Sequence, residues 1–238
     1  MADERLIVAL DFHHFDDVKN LVTELGDSVN FYKVGMELFY SVGIDVLDWL
    51  KSLDKKIFLD LKLCDIPNTT AQGLCSLMNL GADIVNIHAT GGYTMMKTAA
   101  DKLREESARL GIVKPKLIAV TILTSINQTD WEGLGYSQLE ISAQVVRLAK
   151  LAKSAGVDGV VASPNEAKLI RENCGEDFLI VTPGIRPAGS AVNDQSRIAT
   201  PSSAIKNGAN YLVVGRPITK ADNPKSAAQK ILDEISEV

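Results

Sequence analysis

The chain has 238 residues, 46% hydrophobic and 23% charged, the composition of an ordinary soluble globular protein. Its 25 Lys+Arg against 30 Asp+Glu leave a net charge of −5, and no basic run or aromatic-basic stripe is present, so nucleic acid is not expected as a partner. No apolar stretch approaches the roughly 20 residues of a membrane span, so no membrane association is expected either.

Strand-like and helix-like runs alternate along the chain. Residues 5–11 (RLIVALD) read as a first strand. A helix follows, opened by Asp16 and Asp17, striped with Val18, Leu21, Val22 and Leu25, and closed by Gly26. Phe31–Gly35 is the second strand and carries Lys33; residues 41–53 are the next helix. Residues 56–62 form the third strand, and residues 69–80 a helix closed by Gly81. Residues 83–88 (DIVNIH) are the fourth strand, residues 93–110 a helix closed by Gly111, and residues 116–123 the fifth strand. A long polar connection, residues 124–137, leads to a helix marked by Ile141, Val145, Leu148, Ala152 and Ala155. Residues 157–162 are the sixth strand, residues 164–173 a short helix and residues 178–182 the seventh strand. A second long connection runs from Pro183 to about Ser196. Residues 201–207 are helical, Tyr211–Val214 is the eighth strand, and Asn223 and Pro224 start a last helix striped by Ala228, Ile231, Leu232 and Ile235.

Eight strand-then-helix units predict a parallel sheet closed into a (β/α)8 TIM barrel, one α/β domain over residues 1–238. An open doubly wound sheet is the alternative, weakened by the lack of a G-x-G-x-x-G turn after the first strand. The three cysteines, Cys64, Cys75 and Cys174, are odd in number and show no C-x-x-C spacing. With no signal peptide, they point to a reducing, cytoplasmic setting, each as a buried small apolar residue.

In such a barrel the site lies at the carboxyl ends of the strands. That rule selects Asp11, Lys33, Asp60 and Lys62, then Asp65 just beyond the third strand. It adds His88 at the end of the fourth strand, Thr124 and Ser125 after the fifth, and Gly215 and Arg216 after the eighth. Residues 58–70, FLDLKLCDIPNTT, dominate this set. Side chains alternate along a strand, so Asp60 and Lys62 share one face while Leu59, Leu61 and Leu63 take the other. Buried charges of this kind are either a satisfied structural pair or working groups. The turns TPGIRP (residues 182–187, with Pro183 and Arg186) and VVGRP (residues 213–217) follow the last two strands, where this fold often binds phosphate. Glycine lets backbone N–H groups approach an anion, and an arginine can fork two donors to it. His88 reads as a structural histidine more readily than as a general base, and His13 and His14 as solvated. No His, Cys, Asp or Glu cluster has metal-ligand spacing, and no Ser/His/Asp or Cys/His nucleophile set is evident.

Residues 60–69, DLKLCDIPNT, match D-x-K-x-x-D-I-P-N-T, and the chain here closely resembles the orotidine 5′-phosphate decarboxylase family in its compact bacterial form. The likeness extends to Asp11, Lys33 in FYKVG, VNIHATGG, the LTS after the fifth strand, PGIRP with its later Gln195, and VGRPI. The resemblance implies conversion of orotidine 5′-monophosphate to UMP and CO2 in pyrimidine biosynthesis, without metal, flavin or other cofactor. It implies Lys62 as the proton donor at C6, within an alternating network of Lys33, Asp60, Lys62 and Asp65. It also implies a homodimer in which Asp65, Ile66 and Thr69 cross to the neighbouring site. Asp11 would hold the ribose; Thr124, Ser125 and Gln195 the pyrimidine or a closing loop; Arg186, Gly215 and Arg216 the phosphate, beside Pro183. Two rivals share parts of this pattern. One is a Mg²⁺-dependent sugar-phosphate decarboxylase or aldolase of the same barrel group; the other is a phosphate- or nucleotide-binding barrel without activity.

Overall fold

The computed structural model describes residues 3–136, 138–187 and 199–238. Its strands are β1 (Leu6–Ala9), β2 (Phe31–Gly35), β3 (Lys56–Leu63), β4 (Ile84–His88), β5 (Lys116–Val120), β6 (Gly159–Val161), β7 (Leu179–Thr182) and β8 (Tyr211–Val214). They pair in chain order, every pair parallel, and β8 returns to β1 with Leu6 opposite Leu212 and Val8 opposite Val214, closing the barrel. The open doubly wound alternative is thereby set aside.

The closure follows from strands that are apolar on both faces, as a parallel sheet covered on both sides requires. Inward-facing Ile7, Ala9, Phe31, Phe58, Ile84, Ile118, Val181 and Val213 fill the barrel. Their neighbours Leu6, Val8, Tyr32, Val34, Ile57, Leu59, Val85 and Ile87 pack outward against the helices. On helix Phe15–Leu25 the buried residues are Val18, Leu21, Val22 and Leu25, the stripe read from its spacing. No helix among the described residues is long and apolar enough to cross a membrane.

Four local features depart from the sequence reading. The helix expected at residues 41–53 is two helices, Met36–Val42 and Asp45–Ser52, divided at Gly43, whose φ of 78° suits glycine. The connection at residues 124–137 contains helix Gln128–Gly133, capped by the Asn127 side chain accepting from the Asp130 N–H. Its anchor is one buried residue: Trp131 stacks on Tyr136 at 4.4 Å and donates from Nε1 to the Leu139 carbonyl at 2.5 Å. A short helix, Arg216–Thr219, follows β8 directly. Finally, Cys75 and Cys174 are buried as expected, but Cys64 is exposed because the chain leaves the barrel wall just after β3.

Candidate active site

Above the apolar filling, the same inward register turns polar at the carboxyl ends of the strands. Ile7 and Ala9 in β1 lead to Asp11; Phe31 in β2 leads to Lys33; Phe58 in β3 leads to Asp60; Ile84 in β4 leads to Asn86 and His88. The first three of these polar groups, with Lys62, form a chain of alternating charge. Lys33 Nζ lies 2.9 Å from Asp11 Oδ1 and 3.5 Å from Asp60 Oδ2. Lys62 Nζ donates to Asp60 Oδ1 at 2.7 Å. Lys33 and Asp60 are buried, while Lys62 keeps part of its side chain open to the barrel mouth. Burial alone would pull the Lys33 pKa down, but the carboxylates of Asp60 and Asp11 outweigh it and hold the ammonium above its ordinary value. Gly35 makes room for this arrangement: a Cβ there would stand 2.8 Å from Lys33 Nζ.

Simple alternation does not by itself explain where Lys62 points. The β3–β4 register slips between Leu59 and Leu63, and Lys62 has φ 52°, in the left-handed region. Leu59, Leu61 and Leu63 face the outer core as expected. Lys62 reaches the inner face through this bulge.

Two cavities adjoin the charged chain. One, of about 180 Å³, is lined by Lys33, Asp60 and Lys62 together with apolar Phe58, Val120, Ile122, Val161 and Val213, and by Thr124 and Pro183. The other, of about 470 Å³, is lined by Asp11, Glu37, Gly184, Arg186, Gly215, Arg216 and Lys220 among others. They share Lys33, Pro183 and Val213, so a largely apolar compartment adjoins one lined by Arg186, Arg216 and Lys220. A roomier hollow, about 670 Å³, lies at the amino-terminal end of the strands around Phe31, Lys56 and Lys116. It touches none of the rim residues, and the fold places chemistry at the opposite end.

Residues 4–231 match the model of the "Orotidine 5′-phosphate decarboxylase / HUMPS family". The chain belongs to this family. It is 50% identical over 235 residues to the orotidine 5′-phosphate decarboxylase of Carboxydothermus hydrogenoformans, covering 99% of this chain and 97% of that one. It is 47% identical over 234 residues to the same enzyme of Geobacter sp. strain M21, covering 98% and 97%. The crystal structure of orotidine 5′-phosphate decarboxylase from Lactobacillus acidophilus superposes with a TM-score of 0.85 at 46% identity, covering 98% of this chain and 99% of that one.

The other residues singled out from the family signature divide into two groups. Thr124, Pro183, Arg186, Gly215 and Arg216 line the two cavities, and exposed Ser125 follows Thr124. Arg186 is buried, with Nη1 donating to the Ile185 carbonyl at 2.9 Å. Its backbone N–H donates to the Ala199 carbonyl at 2.9 Å, so the two ends of the segment between them meet at the site. Gln195 lies outside the described residues.

Asp65, Ile66 and Thr69 stand apart from Lys62 and are exposed, Ile66 by 68%. Within the chain, Lys62 pairs with Asp60. Asp65 is fixed by local bonds: its N–H donates to Thr70 Oγ1 at 3.1 Å, and its Oδ1 accepts from the Ile66 N–H at 2.7 Å. That turn starts helix Pro67–Met78, with Pro67 at its first position.

His88 is half-buried, and burial, aided by the Lys62 charge, pushes its pKa below the ordinary value. His13 and His14 are exposed, His13 standing 3.1 Å from Glu37. No group of three or more His, Cys, Asp or Glu side chains suited to a metal occurs among the described residues. Sequence reasoning overlooked Asn86, whose Nδ2 donates to Asp60 Oδ1 at 2.6 Å. The inward register of Ile84 and His88 in DIVNIH was the signal that could have found it.

Proposed function

We propose that this chain is a cytoplasmic, single-domain decarboxylase that converts orotidine 5′-monophosphate to UMP and CO2, with Lys62 as the proton donor. The observation that carries the reading is the chain Asp11–Lys33–Asp60–Lys62, set between an apolar slot and a cavity lined by Arg186, Arg216 and Lys220. The pyrimidine occupies the slot with C6 toward Lys62. The C6–carboxylate bond breaks, CO2 leaves, and the bonding pair stays on C6 in the ring plane, where no adjacent carbonyl can absorb it. The Lys62 ammonium, held at 2.7 Å from Asp60, stabilises that charge and then transfers its proton to C6. Solvent returns the proton to Lys62.

Proton donation typically supplies about 10²–10⁴-fold, which leaves most of the acceleration to fixed charge already in place. Asp11 binds ribose hydroxyls. The phosphate sits among Arg186, Arg216 and the Gly215 N–H, beside Pro183. Thr124, Ser125 and Gln195 meet the pyrimidine or the loops that close over it. The active form is a homodimer in which exposed Asp65, Ile66 and Thr69 complete the partner's site. The residues of this chain account for the charge stabilisation and the proton, so the reaction requires no cofactor or metal.

The rival is a Mg²⁺-dependent sugar-phosphate decarboxylase or aldolase of the same barrel group. The two curated relatives described above, each matched over 97% of its length, carry the decarboxylase name. The deciding experiment is incubation with orotidine 5′-monophosphate in the presence of a chelator, following loss of the orotate absorbance. Turnover that Lys62→Ala abolishes in a folded protein is expected. Turnover only on a sugar phosphate with Mg²⁺ would establish the rival, and ligand binding without turnover would establish a binding module.

A further inference from the structure

Asn86 lies in the middle of β4 with no exposed surface. A buried primary amide is costly unless both of its ends are satisfied. Here Nδ2 donates to Asp60 Oδ1 at 2.6 Å, and Oδ1 accepts from the backbone N–H of Lys62 at 2.8 Å. Charge dictates this orientation. The reversed amide would set its oxygen against the Asp60 carboxylate and its NH2 against the Lys62 N–H.

The strand opposite is irregular at this point. Leu59 pairs with Val85 and Leu63 with Ile87, so Asp60, Leu61 and Lys62 lie across from Asn86 alone. The extra residues form the bulge in which Lys62 adopts φ 52°. A non-glycine residue keeps such a conformation only where its surroundings hold it. Asn86 provides that hold by accepting the N–H that the bulge turns inward. The same amide occupies the oxygen of Asp60 that Lys62 also uses.

We propose that Asn86 is the positioning residue of this site: a single amide stabilises the bulge that aims Lys62 and fixes the carboxylate oxygen with which Lys62 pairs. The proposal rests on the decarboxylase reading above. Asn86 acts only through Lys62 and Asp60 and touches no reacting atom. Alanine would leave the Lys62 N–H without its acceptor and release Asp60. Aspartate would bring a further carboxylate against Asp60.

The test uses the purified full-length protein. Asn86→Ala is expected to lower kcat for orotidine 5′-monophosphate by about 100-fold, the order lost when a reacting group is misplaced by ~1 Å. UMP, held mainly through its phosphate, should bind as it does to the wild type. Asn86→Asp provides a readout that a merely structural role would not move. When protonated, its carboxyl donates to Asp60 and accepts from the Lys62 N–H, reproducing both contacts. When ionised, it repels Asp60. Its kcat relative to wild type at the same pH is therefore expected to rise as pH falls, while the same ratio for Asn86→Ala stays flat.

A folded Asn86→Ala variant with wild-type kcat overturns the proposal, as does an Asn86→Asp ratio that ignores pH. Should neither variant fold, amide hydrogen exchange of the wild type decides. The Lys62 amide is expected to exchange as slowly as the β3 strand amides, and exchange at the rate of an open loop sinks the idea. A wild-type chain inactive on orotidine 5′-monophosphate brings down the functional reading and this proposal together. Full activity in Asn86→Ala brings down the proposal alone.

Discussion

Asp60 spends one oxygen on Lys62 and Asn86 and faces Lys33 with the other, so its carboxylate is surrounded by donors. Such a cluster tolerates little added volume. At Gly35 an added methyl would meet the Lys33 ammonium at 2.8 Å with only a flexible side-chain end to displace. Gly35→Ala is therefore expected to fold with nearly unchanged thermal stability but to lower kcat/KM by at least about tenfold, since displaced charge loses preorganisation. Wild-type kcat/KM in that variant would contradict the role given to Lys33.

His88 supports a different residue-scale prediction. Its pKa is lowered in the folded chain, by burial first and then by Lys62. The unfolded chain thus takes up this proton at a higher pH than the folded chain does. Stability contributed here is present above the ordinary histidine value, declines as pH falls from that value to the lowered one, and stays lost below it. His88→Gln is expected to flatten this part of the pH–stability curve while retaining decarboxylation. An NMR titration of His88 with a midpoint at or above the ordinary value would contradict the burial argument, and loss of turnover in the variant would restore a catalytic role.

Among the elements, helix Gln128–Gly133 depends on one side chain. Trp131 is 1% exposed, and it supplies both the stacking on Tyr136 and the bond to the Leu139 carbonyl. Truncating a buried tryptophan costs about 3–5 kcal/mol in a core. This segment can loosen locally, so Trp131→Ala should show less than that in global urea unfolding. Faster proteolysis of residues 124–140 and a higher KM are expected, because Thr124 at the start of the segment lines the slot. A global loss of the full core magnitude, with unchanged proteolysis of the segment, would show instead that the helix is integral to the barrel. Periodicity does not reveal this element for a physical reason: six residues are too few to display a stripe, and their burial resides in a single aromatic ring.

For the molecule as a whole, the proposed homodimer carries its own prediction. Asp65, Ile66 and Thr69 are exposed, and none of them lines the two cavities of their own chain's site. If they complete a partner's, Lys62→Ala and Asp65→Ala proteins are each expected to be inactive. Dissociated and reassociated together, they should regain about one quarter of wild-type activity. Random pairing in a two-fold dimer makes half the dimers mixed, each with one intact site of two. No recovery on mixing, with hybrids demonstrated by mass, would place Asp65 in its own chain's site.

Much of this architecture was legible beforehand, because a parallel barrel writes itself locally. Strands apolar on both faces, amphipathic helices and closing glycines recur as eight units, and the polar residues that interrupt the apolar runs mark the rim. Asp11, Lys33, Asp60 and Lys62 were found in this way, since charge inside an apolar strand is visible in one dimension. Distances between strands are not. The amino-acid order by itself determined the number of units, their hand-over from strand to helix and the charged residues at their ends. Only the tertiary structure decided that the third strand bulges, that Lys62 turns inward through a left-handed residue, and that Asn86 on the neighbouring strand meets both it and Asp60. Those facts depend on register between strands, which is set by packing across the closed barrel and leaves no periodic trace along the chain.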